Sequence, residues 1–347
     1  MIAKTRGGTL TTGKLPRGCE LCMEGAKMVL FATGFCNTGC FYCPISFKRR
    51  DNRQAWANER PISTDEDILE EARRMDAKGA SITGGEPALE IERALGYIRL
   101  LKKEYGKRFH MHLYTYSASP EQVKALSEAG LDEIRFHNPK TMLASAHLSD
   151  RIDMGCELPC IPGGEETLKQ CVDMIAGKAK FLNLNELEFS ESNCDALKAK
   201  GFVIKHELSH AVKGSEELGM TILDYADGRL DTHFCTSSFK DSVQYRNRLI
   251  RTSENTRKPF EKITPDGLLL KGAIKPKDPS EDLEKLKDKL LKKYSLAPDF
   301  LWVDTQKKRL ETSVPIAKRL AKNKELQAEI IEEFPTWDRY EAETTPL

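Results

Sequence analysis

The central part of this chain of 347 residues alternates strand-like and helix-like runs, and this alternation constrains the fold more than any other feature. Six strand-like runs stand out, at residues 28–32, 80–83, 109–114, 133–137, 152–156 and 182–188. The helix ends between them are well marked, since Ser119 and Gln122 are spaced as a capping box and Gly130 can end the same helix. Repeated βα units predict an α/β protein whose strands run parallel and are joined by right-handed crossovers.

Three cysteines, Cys36, Cys40 and Cys43, follow the first strand-like run in a C-x3-C-x2-C spacing. Three thiolates this close in sequence can hold three corners of a [4Fe-4S] cluster, which leaves the fourth iron open to an outside molecule. An open coordination position is typical of a reactive metal site rather than a structural one, a logic worked out for zinc. The other interpretations are a zinc site or a set of buried thiols, but structural zinc sites usually pair two C-x2-C arms.

A second motif, Gly84-Gly85-Glu86-Pro87, follows the second strand-like run. Glycines let the backbone approach a ligand closely, and a carboxylate beside an ammonium group is favourable electrostatically. Together with the cysteine spacing, this motif resembles the radical S-adenosylmethionine (radical SAM) superfamily. The resemblance implies that SAM binds the open iron, that Tyr42 lies near the adenine, and that residues 84–87 meet the SAM amino group.

The resemblance also implies a fold and a reaction. Six parallel strands match the partial (β/α)6 barrel of radical SAM enzymes, with both motifs at the C-terminal ends of strands, where parallel α/β folds place their chemistry. In the superfamily, a reduced cluster splits the sulfonium of SAM to give a 5′-deoxyadenosyl radical, which abstracts a hydrogen atom. The expected protein is therefore a radical SAM enzyme, an oxidoreductase or transferase, with a [4Fe-4S] cluster and SAM as cofactors. Its expected partner is a one-electron donor such as ferredoxin or flavodoxin. The core is most similar to pyruvate formate-lyase activating enzymes and their uncharacterised archaeal relatives.

Three regions are predicted along the chain: an N-terminal segment with a C-x2-C arm at 1–26, the radical SAM partial barrel at 27–235, and a basic α+β extension at 236–347. After the sixth strand, the pattern predicts a helix at 193–200, a strand at 202–206, a helix at 215–226 and a last strand at 232–235. In the extension, it predicts a basic helix at 239–251, hairpins at 260–274 and 301–310, and helices at 280–294 and 314–323.

Cys19 and Cys22 form a second metal-type arm, C-x2-C, just before the first strand-like run. Cys235, with His233, could close such a site from far along the sequence. Three thiolates, or three thiolates and an imidazole, would suit zinc or an additional Fe–S cluster. The alternative is two surface thiols in a loop and a buried Cys235, because closure depends on tertiary proximity.

Other polar residues and thiols carry weaker signals. Cys156 and Cys160 are expected to be small core residues, Cys171 and Cys194 to pack on helices, and His110 and His112 to be core or surface residues rather than metal ligands. Candidates to face the reaction chamber are Thr115, Tyr116, Arg135, His137, Asn183, Asn185, Glu186 and Glu188. Successive residues of a strand point to opposite faces, so either the pair Asn183 and Asn185 or Glu186 can face inward.

Composition and charge limit where the protein is expected to be located and what it is expected to bind. A run of about eighteen apolar residues is absent, which predicts no membrane span. The N-terminus lacks an apolar signal core, and ten cysteines without such a signal favour a reducing, cytoplasmic location. Residues 240–324 contain 22 basic and 12 acidic side chains, a net charge of +10, whereas the whole chain carries +1. This excess indicates either a polyanionic partner or a solvated helical surface.

The basic extension leads to the favoured substrate, an RNA and most plausibly a tRNA. Lysines and arginines would hold phosphates, and Tyr245 among Arg246, Arg248 and Arg251 could stack on a base. The alternative enzyme acts on a protein, by glycyl-radical activation or peptide modification. A third hypothesis, a non-enzymatic Fe–S or zinc scaffold that binds nucleic acid, predicts no cleavage of SAM.

Overall fold

The computed structural model describes residues 1–347, apart from the side chain of Asp241. The chain divides into two compact units. The N-terminal unit comprises Met1–Arg73 and Ala77–Asn247, and the C-terminal unit comprises Arg74–Asp76 and Arg248–Leu347. This division falls beyond the boundary expected after residue 235.

One sheet of eleven strands organises the N-terminal unit. Its strands are β1 (Ala3–Lys4), β2 (Leu10–Thr12), β3 (Lys27–Phe31), β4 (Ala55–Ala57), β5 (Arg60–Ile62), β6 (Gly79–Thr83), β7 (His110–Thr115), β8 (Glu133–Phe136), β9 (Asp153–Cys160), β10 (Phe181–Glu186) and β11 (Asp231–Cys235). Their order in the sheet is β1-β2-β11-β10-β9-β8-β7-β6-β3-β4-β5. The seven strands from β11 to β3 in this order run parallel, which confirms the predicted α/β class and the predicted strands.

Antiparallel strands flank the parallel run at both ends. The β2 strand pairs antiparallel with β11, and β4 pairs antiparallel with β3. Neither short hairpin was predicted, because strands of two or three residues carry too little alternation to be recognised. As a result, the N-terminal residues are part of the sheet, and the parallel strands at its ends are covered rather than exposed.

Helices precede, connect and follow the parallel strands. They are α1 (Arg17–Met23), α2 (Asp65–Arg74), α3 (Ile91–Tyr105), α4 (Pro120–Ala129), α5 (Pro139–Ala144), α6 (Glu165–Ile175), α7 (Cys194–Ala199), α8 (Ser215–Ala226), α9 (Ser237–Phe239) and α10 (Arg246–Thr256). A π-helical segment, Lys240–Tyr245, joins α9 to α10. The predicted capping box at Ser119 is present, and Gly130 ends α4 in the left-handed region with φ 104°.

The strand predicted at 202–206 is wrong. Only isolated bridges occur there, Ile204 to Val212 and Glu188 to Ala211. The apolar residues resemble a strand in sequence, but the Phe202 ring stacks on Phe41 with centroids 6.3 Å apart, and Ile204 remains 47% exposed. The segment pairs locally with residues 211–213, where the Lys205 N–H donates to the Ala211 carbonyl at 2.9 Å and the Lys213 N–H to the Val203 carbonyl at 2.9 Å, and it adds no strand to the sheet.

The C-terminal unit is an α+β domain, as predicted. Its strands are β12 (Lys262–Ile263), β13 (Leu269–Pro276), β14 (Leu301–Asp304), β15 (Arg309–Thr312), β16 (Leu326–Glu333) and β17 (Glu341–Pro346), and its further helices are α11 (Leu283–Tyr294) and α12 (Val314–Leu320). The order of the sheet is β14-β15-β13-β16-β17, with β12 paired to β13. Both predicted hairpins are confirmed, whereas β16 and β17 were missed.

The two faces of β13 differ in polarity. Ile274 belongs to an apolar core that includes Leu286 of α11 and Leu320 of α12. On the other face, Lys271 is almost fully buried and is paired with carboxylates. It belongs to an ion cluster of Lys258, Lys271, Arg309 and Arg339 with Glu261, Asp304, Glu311, Glu333 and Glu341.

Candidate active site

The loop after β3 carries the three predicted cluster ligands. Cys36 is exposed, Cys40 and Cys43 are half-buried, and all three are free thiols. The Thr38 hydroxyl lies 2.9 Å from Cys36 Sγ and 3.5 Å from Cys40 Sγ, while the Cys43 N–H donates to the Cys40 carbonyl at 3.1 Å. Gly39, with φ 62°, provides the left-handed turn between them. The loop therefore holds the thiols in one short, tightly turned segment.

Main-chain contacts fix the end of this cysteine loop. Asn193 Nδ2 donates to the Tyr42 carbonyl at 3.0 Å, and the Cys43 carbonyl accepts hydrogen bonds from Arg50 at 3.3 Å and from the Ser192 hydroxyl at 3.4 Å. Burial raises the pKa of Tyr42, with the neighbouring Cys40 adding to the effect. Asn193 and Ser192 lie about 150 residues from the loop, so no local pattern indicates that they support it.

The glycines of the second motif bring it against the cysteine loop. The Gly85 N–H donates to the Thr33 carbonyl at 2.7 Å, and the Glu86 N–H donates to the Phe35 carbonyl at 2.8 Å. A Cβ on Gly85 would lie 2.1 Å from the Phe35 oxygen, and one on Gly84 would lie 2.4 Å from the Thr33 oxygen. The two motifs thus form one unit, and the close approach that requires glycine is between two protein segments.

Glu86 does not present its carboxylate to a ligand as the sequence analysis anticipated. The residue is 1% exposed, and Oε1 accepts from the Thr115 hydroxyl at 2.7 Å and from the Ala88 N–H at 3.0 Å. Oε2 accepts from the N–H groups of Tyr116 at 2.7 Å and Ser117 at 3.2 Å. The carboxylate therefore joins the loops after β6 and β7. Only the main chain of Glu86 is left to contact SAM.

We expect Glu86→Gln to destabilise the protein by about 2–3 kcal/mol, because an amide has one acceptor oxygen and leaves buried N–H donors unpaired. Amide hydrogen exchange at residues 115–118 should accelerate in the variant. The control is Glu92→Gln on the exposed face of α3, which should change neither measurement. Unchanged exchange at 115–118 in the Glu86 variant would contradict the role assigned to this carboxylate.

A small cavity of about 70 Å³ lies inside the N-terminal unit. In its wall Arg135 Nη1 donates to Glu157 at 2.9 Å, and Glu157 also accepts from Asn183 Nδ2 at 3.1 Å and Asn185 Nδ2 at 2.8 Å. Burial alone would raise the pKa of Glu157, but Arg135 and these amides hold it below its usual range. The cavity is lined by Cys19, Cys22, Tyr114, Arg135, Glu157, Asn183, His233, Cys235, Phe239, Lys240 and Gln244.

These contacts sort the polar candidates from the sequence. Arg135, Asn183 and Asn185 share the Glu157 carboxylate, whereas Glu186 accepts from the Ser237 N–H at 2.8 Å. The Thr115 hydroxyl donates to Glu86, and Glu188 accepts from Lys240 at 2.9 Å. His137 Nδ1 lies 2.9 Å from the Glu157 carbonyl. The Tyr116 side chain is 39% exposed. Cys156 and Cys160 are fully buried, and Cys171 and Cys194 lie half-buried on helices, as expected.

Glu157 was missed by the sequence analysis. It lies between Cys156 and Cys160, two residues that were expected to be structural. Because successive residues of a strand point to opposite faces, Glu157 had to face away from the core position of Cys156, and this alternation could have identified it.

His110, His112 and Glu133 form a compact group that the sequence analysis set aside. Their ligand atoms all lie within 4.8 Å of one another. However, His110 Nδ1 is 2.7 Å from Lys27 Nζ, and Glu133 accepts from Arg135 Nε at 2.6 Å. A Cβ on Gly18 would lie 2.4 Å from His112 Nδ1, so helix α1 closes the space beside that atom. His110 and Glu133 are thus already paired with the basic groups of Lys27 and Arg135, whereas neither ring nitrogen of His112 has a hydrogen-bond partner among the described residues.

The cysteine loop has the donors that an iron–sulfur cluster requires. Three free thiols lie in one turn at the C-terminal end of a parallel strand, and two glycines hold a second motif directly against that turn. Thiolates are the usual ligands of such clusters, and three of them leave one iron for a small molecule. The fold and the site together define an iron–sulfur enzyme.

Comparisons with known proteins give the family. The family model described as the radical SAM superfamily matches residues 30–137, and a domain of unknown function matches residues 267–347. A Methanocaldococcus jannaschii protein is named as a glycyl-radical enzyme activating enzyme. It is 39% identical over an aligned length of 359, and the alignment covers 96% of this chain and 93% of that protein. The chain belongs to the radical SAM superfamily. It is therefore a radical SAM enzyme, with a [4Fe-4S] cluster and SAM as its cofactors.

Solved structures give weaker likenesses. The methyltransferase TsrM from Kitasatospora setae, solved with cobalamin and a [4Fe-4S] cluster, is 12% identical with a TM-score of 0.38, and the match covers 71% of this chain and 54% of that one. HydG, a maturase of the [FeFe]-hydrogenase, is 11% identical with a TM-score of 0.34, and the match covers 68% and 65%. None of the described helices has the length and apolar character needed to cross a membrane.

Proposed function

We propose that this enzyme abstracts a hydrogen atom from a polypeptide, in the manner of a glycyl-radical enzyme activating enzyme. When bound, the cluster and SAM supply a one-electron cleavage of the sulfonium that yields a 5′-deoxyadenosyl radical. Cys36, Cys40 and Cys43 would hold the cluster, while Tyr42 and the backbone of residues 84–87 would position SAM. A one-electron donor such as ferredoxin or flavodoxin would reduce the site. The observation that carries the proposal is the 39% identity to a protein of that name over nearly the whole of both chains.

The surface around the cysteine loop suits a polypeptide. Four large apolar side chains are exposed on the loops that follow β3, β6 and β7, namely Phe35 at 36%, Phe47 at 61%, Leu89 at 49% and Tyr116 at 39%. These loops all emerge at the C-terminal ends of parallel strands, the edge that carries the cysteines. Exposed apolar side chains at one edge are typical of protein contacts rather than of phosphate binding.

The charge that favoured RNA is largely balanced within the C-terminal unit. Residues 248–347 contain 21 basic and 18 acidic side chains, a net charge of +3, because seven acidic residues follow position 324. Lys258, Lys271, Arg309 and Arg339 are paired inside the ion cluster, and Arg251 donates to Asp76 at 2.8 Å. The basic stretch therefore supports an RNA partner less than its sequence suggested.

Isotope transfer can test the proposal. The anaerobically reconstituted enzyme, SAM and a flavodoxin reducing system would be mixed with the protein or RNA fraction of cells grown on α-deuterated glycine. We expect the protein fraction to stimulate 5′-deoxyadenosine formation and to transfer deuterium into it, as measured by mass spectrometry. The same protein fraction from cells grown on ordinary glycine is the control. Stimulation by the RNA fraction alone, or by neither fraction, would refute the polypeptide proposal.

A further inference from the structure

We infer that Cys19, Cys22, His233 and Cys235 form a second metal centre inside the N-terminal unit, with three thiolates and one imidazole as ligands. The inference does not depend on the substrate of the enzyme. The four residues come from parts of the chain more than 200 positions apart, and all four line the same cavity of about 70 Å³.

Local geometry turns the two pairs toward one space. Cys19 and Cys22 are three residues apart on α1, so their side chains lie on one face of the helix. His233 and Cys235 are two residues apart on β11, so their side chains lie on one face of the sheet. A helix and a strand that meet across a cavity can thus present two ligands each, without rearrangement of either element.

N–H donors lie near two of the three sulfur atoms, those of Cys19 and Cys22. Arg135 Nη2 lies 3.4 Å from Cys19 Sγ, and Asn183 Nδ2 lies 3.5 Å from the same atom. Gln244 Nε2 lies 3.8 Å from Cys22 Sγ. Structural thiols pack against apolar groups, whereas N–H donors directed at sulfur stabilise metal-bound thiolates and tune the centre they hold.

His233 is oriented as a metal-bound histidine would be. Its Nε2 lies 2.8 Å from the Thr9 hydroxyl, and the side chain is 2% exposed. Its Nδ1 is buried and has no hydrogen-bond partner among the described residues. Metal-bound histidines use one ring nitrogen for the metal and the other for a hydrogen bond that fixes the ring. A metal ion in the cavity would satisfy an atom that is otherwise costly to bury.

The donor set is one that both zinc and iron–sulfur centres use. The four ligand atoms are not gathered within 4.8 Å of one another, as those of His110, His112 and Glu133 are among the described residues. A single zinc ion would therefore have to draw the four side chains closer together, whereas a cluster of several iron atoms spans a wider space. The experiment separates the two.

The test uses the full chain with Cys36, Cys40 and Cys43 all replaced by alanine, which removes the ligands of the first cluster. After anaerobic purification and reconstitution with iron and sulfide, we expect this variant to retain bound metal, measured as iron, zinc and acid-labile sulfide per chain. Iron with sulfide, and an EPR signal on reduction, would identify a cluster. Zinc without sulfide would support the centre and identify it as mononuclear.

Further replacement of Cys19 and Cys22 by alanine should remove that metal. Replacement of Cys171, a half-buried thiol on α6, in the same background should leave it in place. Circular dichroism would show whether each variant is folded. Co²⁺ titration of the triple variant offers a second measurement, because thiolate ligation of Co²⁺ gives intense near-ultraviolet absorption. His233→Ala in the same background should alter that absorption. A folded triple variant that binds neither iron, zinc nor cobalt would overturn the inference.

Discussion

Alanine in place of Cys40 is expected to reduce the formation of 5′-deoxyadenosine to the level seen without protein. Cys40 is the middle one of the three predicted ligands, and two thiolates are too few to hold three corners of a cluster. The side chain is half-buried, so the substitution removes a ligand without opening a large cavity in the core. The measurement is mass spectrometry of the reaction mixture, with SAM and a strong reductant under anaerobic conditions.

Cys171→Ala is the matched control for this experiment. Cys171 is also a half-buried free thiol, but it lies on α6 and far in sequence from both motifs. We expect it to form 5′-deoxyadenosine at the rate of the unmodified protein. If Cys40→Ala behaved in the same way as this control, the assignment of the cysteine loop to the cluster would be wrong.

Glu311→Ala is expected to destabilise the C-terminal unit by about 3–5 kcal/mol, because it leaves buried positive charges without their partner. Glu311 is fully buried, and its Oε1 accepts from Arg309 Nη2 at 2.8 Å and from Arg339 Nη2 at 2.7 Å. Lys271 Nζ lies 3.2 Å from the same oxygen. Urea unfolding followed by hydrogen exchange in peptides from residues 262–346 would measure the effect in this unit alone.

Glu325→Ala provides the control, since Glu325 is exposed and its contact with Lys289 spans 3.5 Å at the surface. Removal of such a surface pair should change the free energy of unfolding by less than about 1 kcal/mol. Equal effects of the two substitutions would show that the ion cluster contributes no more than ordinary surface charges.

Acid should weaken the same unit. Burial alone would raise the pKa of Glu311, but Lys271, Lys258 and Arg339 hold it well below its usual range. A carboxyl whose pKa is depressed in the folded state stabilises that state above its unfolded pKa, and this contribution is lost as the pH falls through the folded pKa. Hydrogen exchange in residues 262–346 should therefore accelerate, relative to its intrinsic rate, below about pH 4.5, and Glu311→Ala should reduce this pH dependence.

Local patterns were enough to identify the two motifs of the candidate site. The cysteine spacing, the glycines and the βα alternation are all encoded within a few residues, and the structure places the two motifs against each other. The role of Glu86 was not predictable, because its partners Thr115 and Tyr116 belong to the next strand and its loop. A carboxylate in a motif carries no local sign of whether it faces a ligand or a neighbouring backbone.

The charged strands of the C-terminal unit show a second limit. The net charge of the extension was counted over residues 240–324, which leaves out Glu329, Glu332 and Glu333 of β16. Glu333 is almost fully buried and pairs with Lys271 at 2.7 Å. Periodicity cannot distinguish a charged residue that faces water from one that faces an opposite charge on a neighbouring strand.

The π-helical segment at Lys240–Tyr245 has a consequence for how relatives of this protein should be compared. One inserted residue in an α-helix turns every later side chain by about 100° relative to the earlier ones. Here Lys240 reaches Glu188, and Gln244, later in the same segment, reaches Cys22. In a homologue that lacks the extra residue, a different side chain would face that sulfur even if every cysteine were identical. A one-residue gap at this point in an alignment therefore indicates a change in which side chains line the cavity beside Cys22.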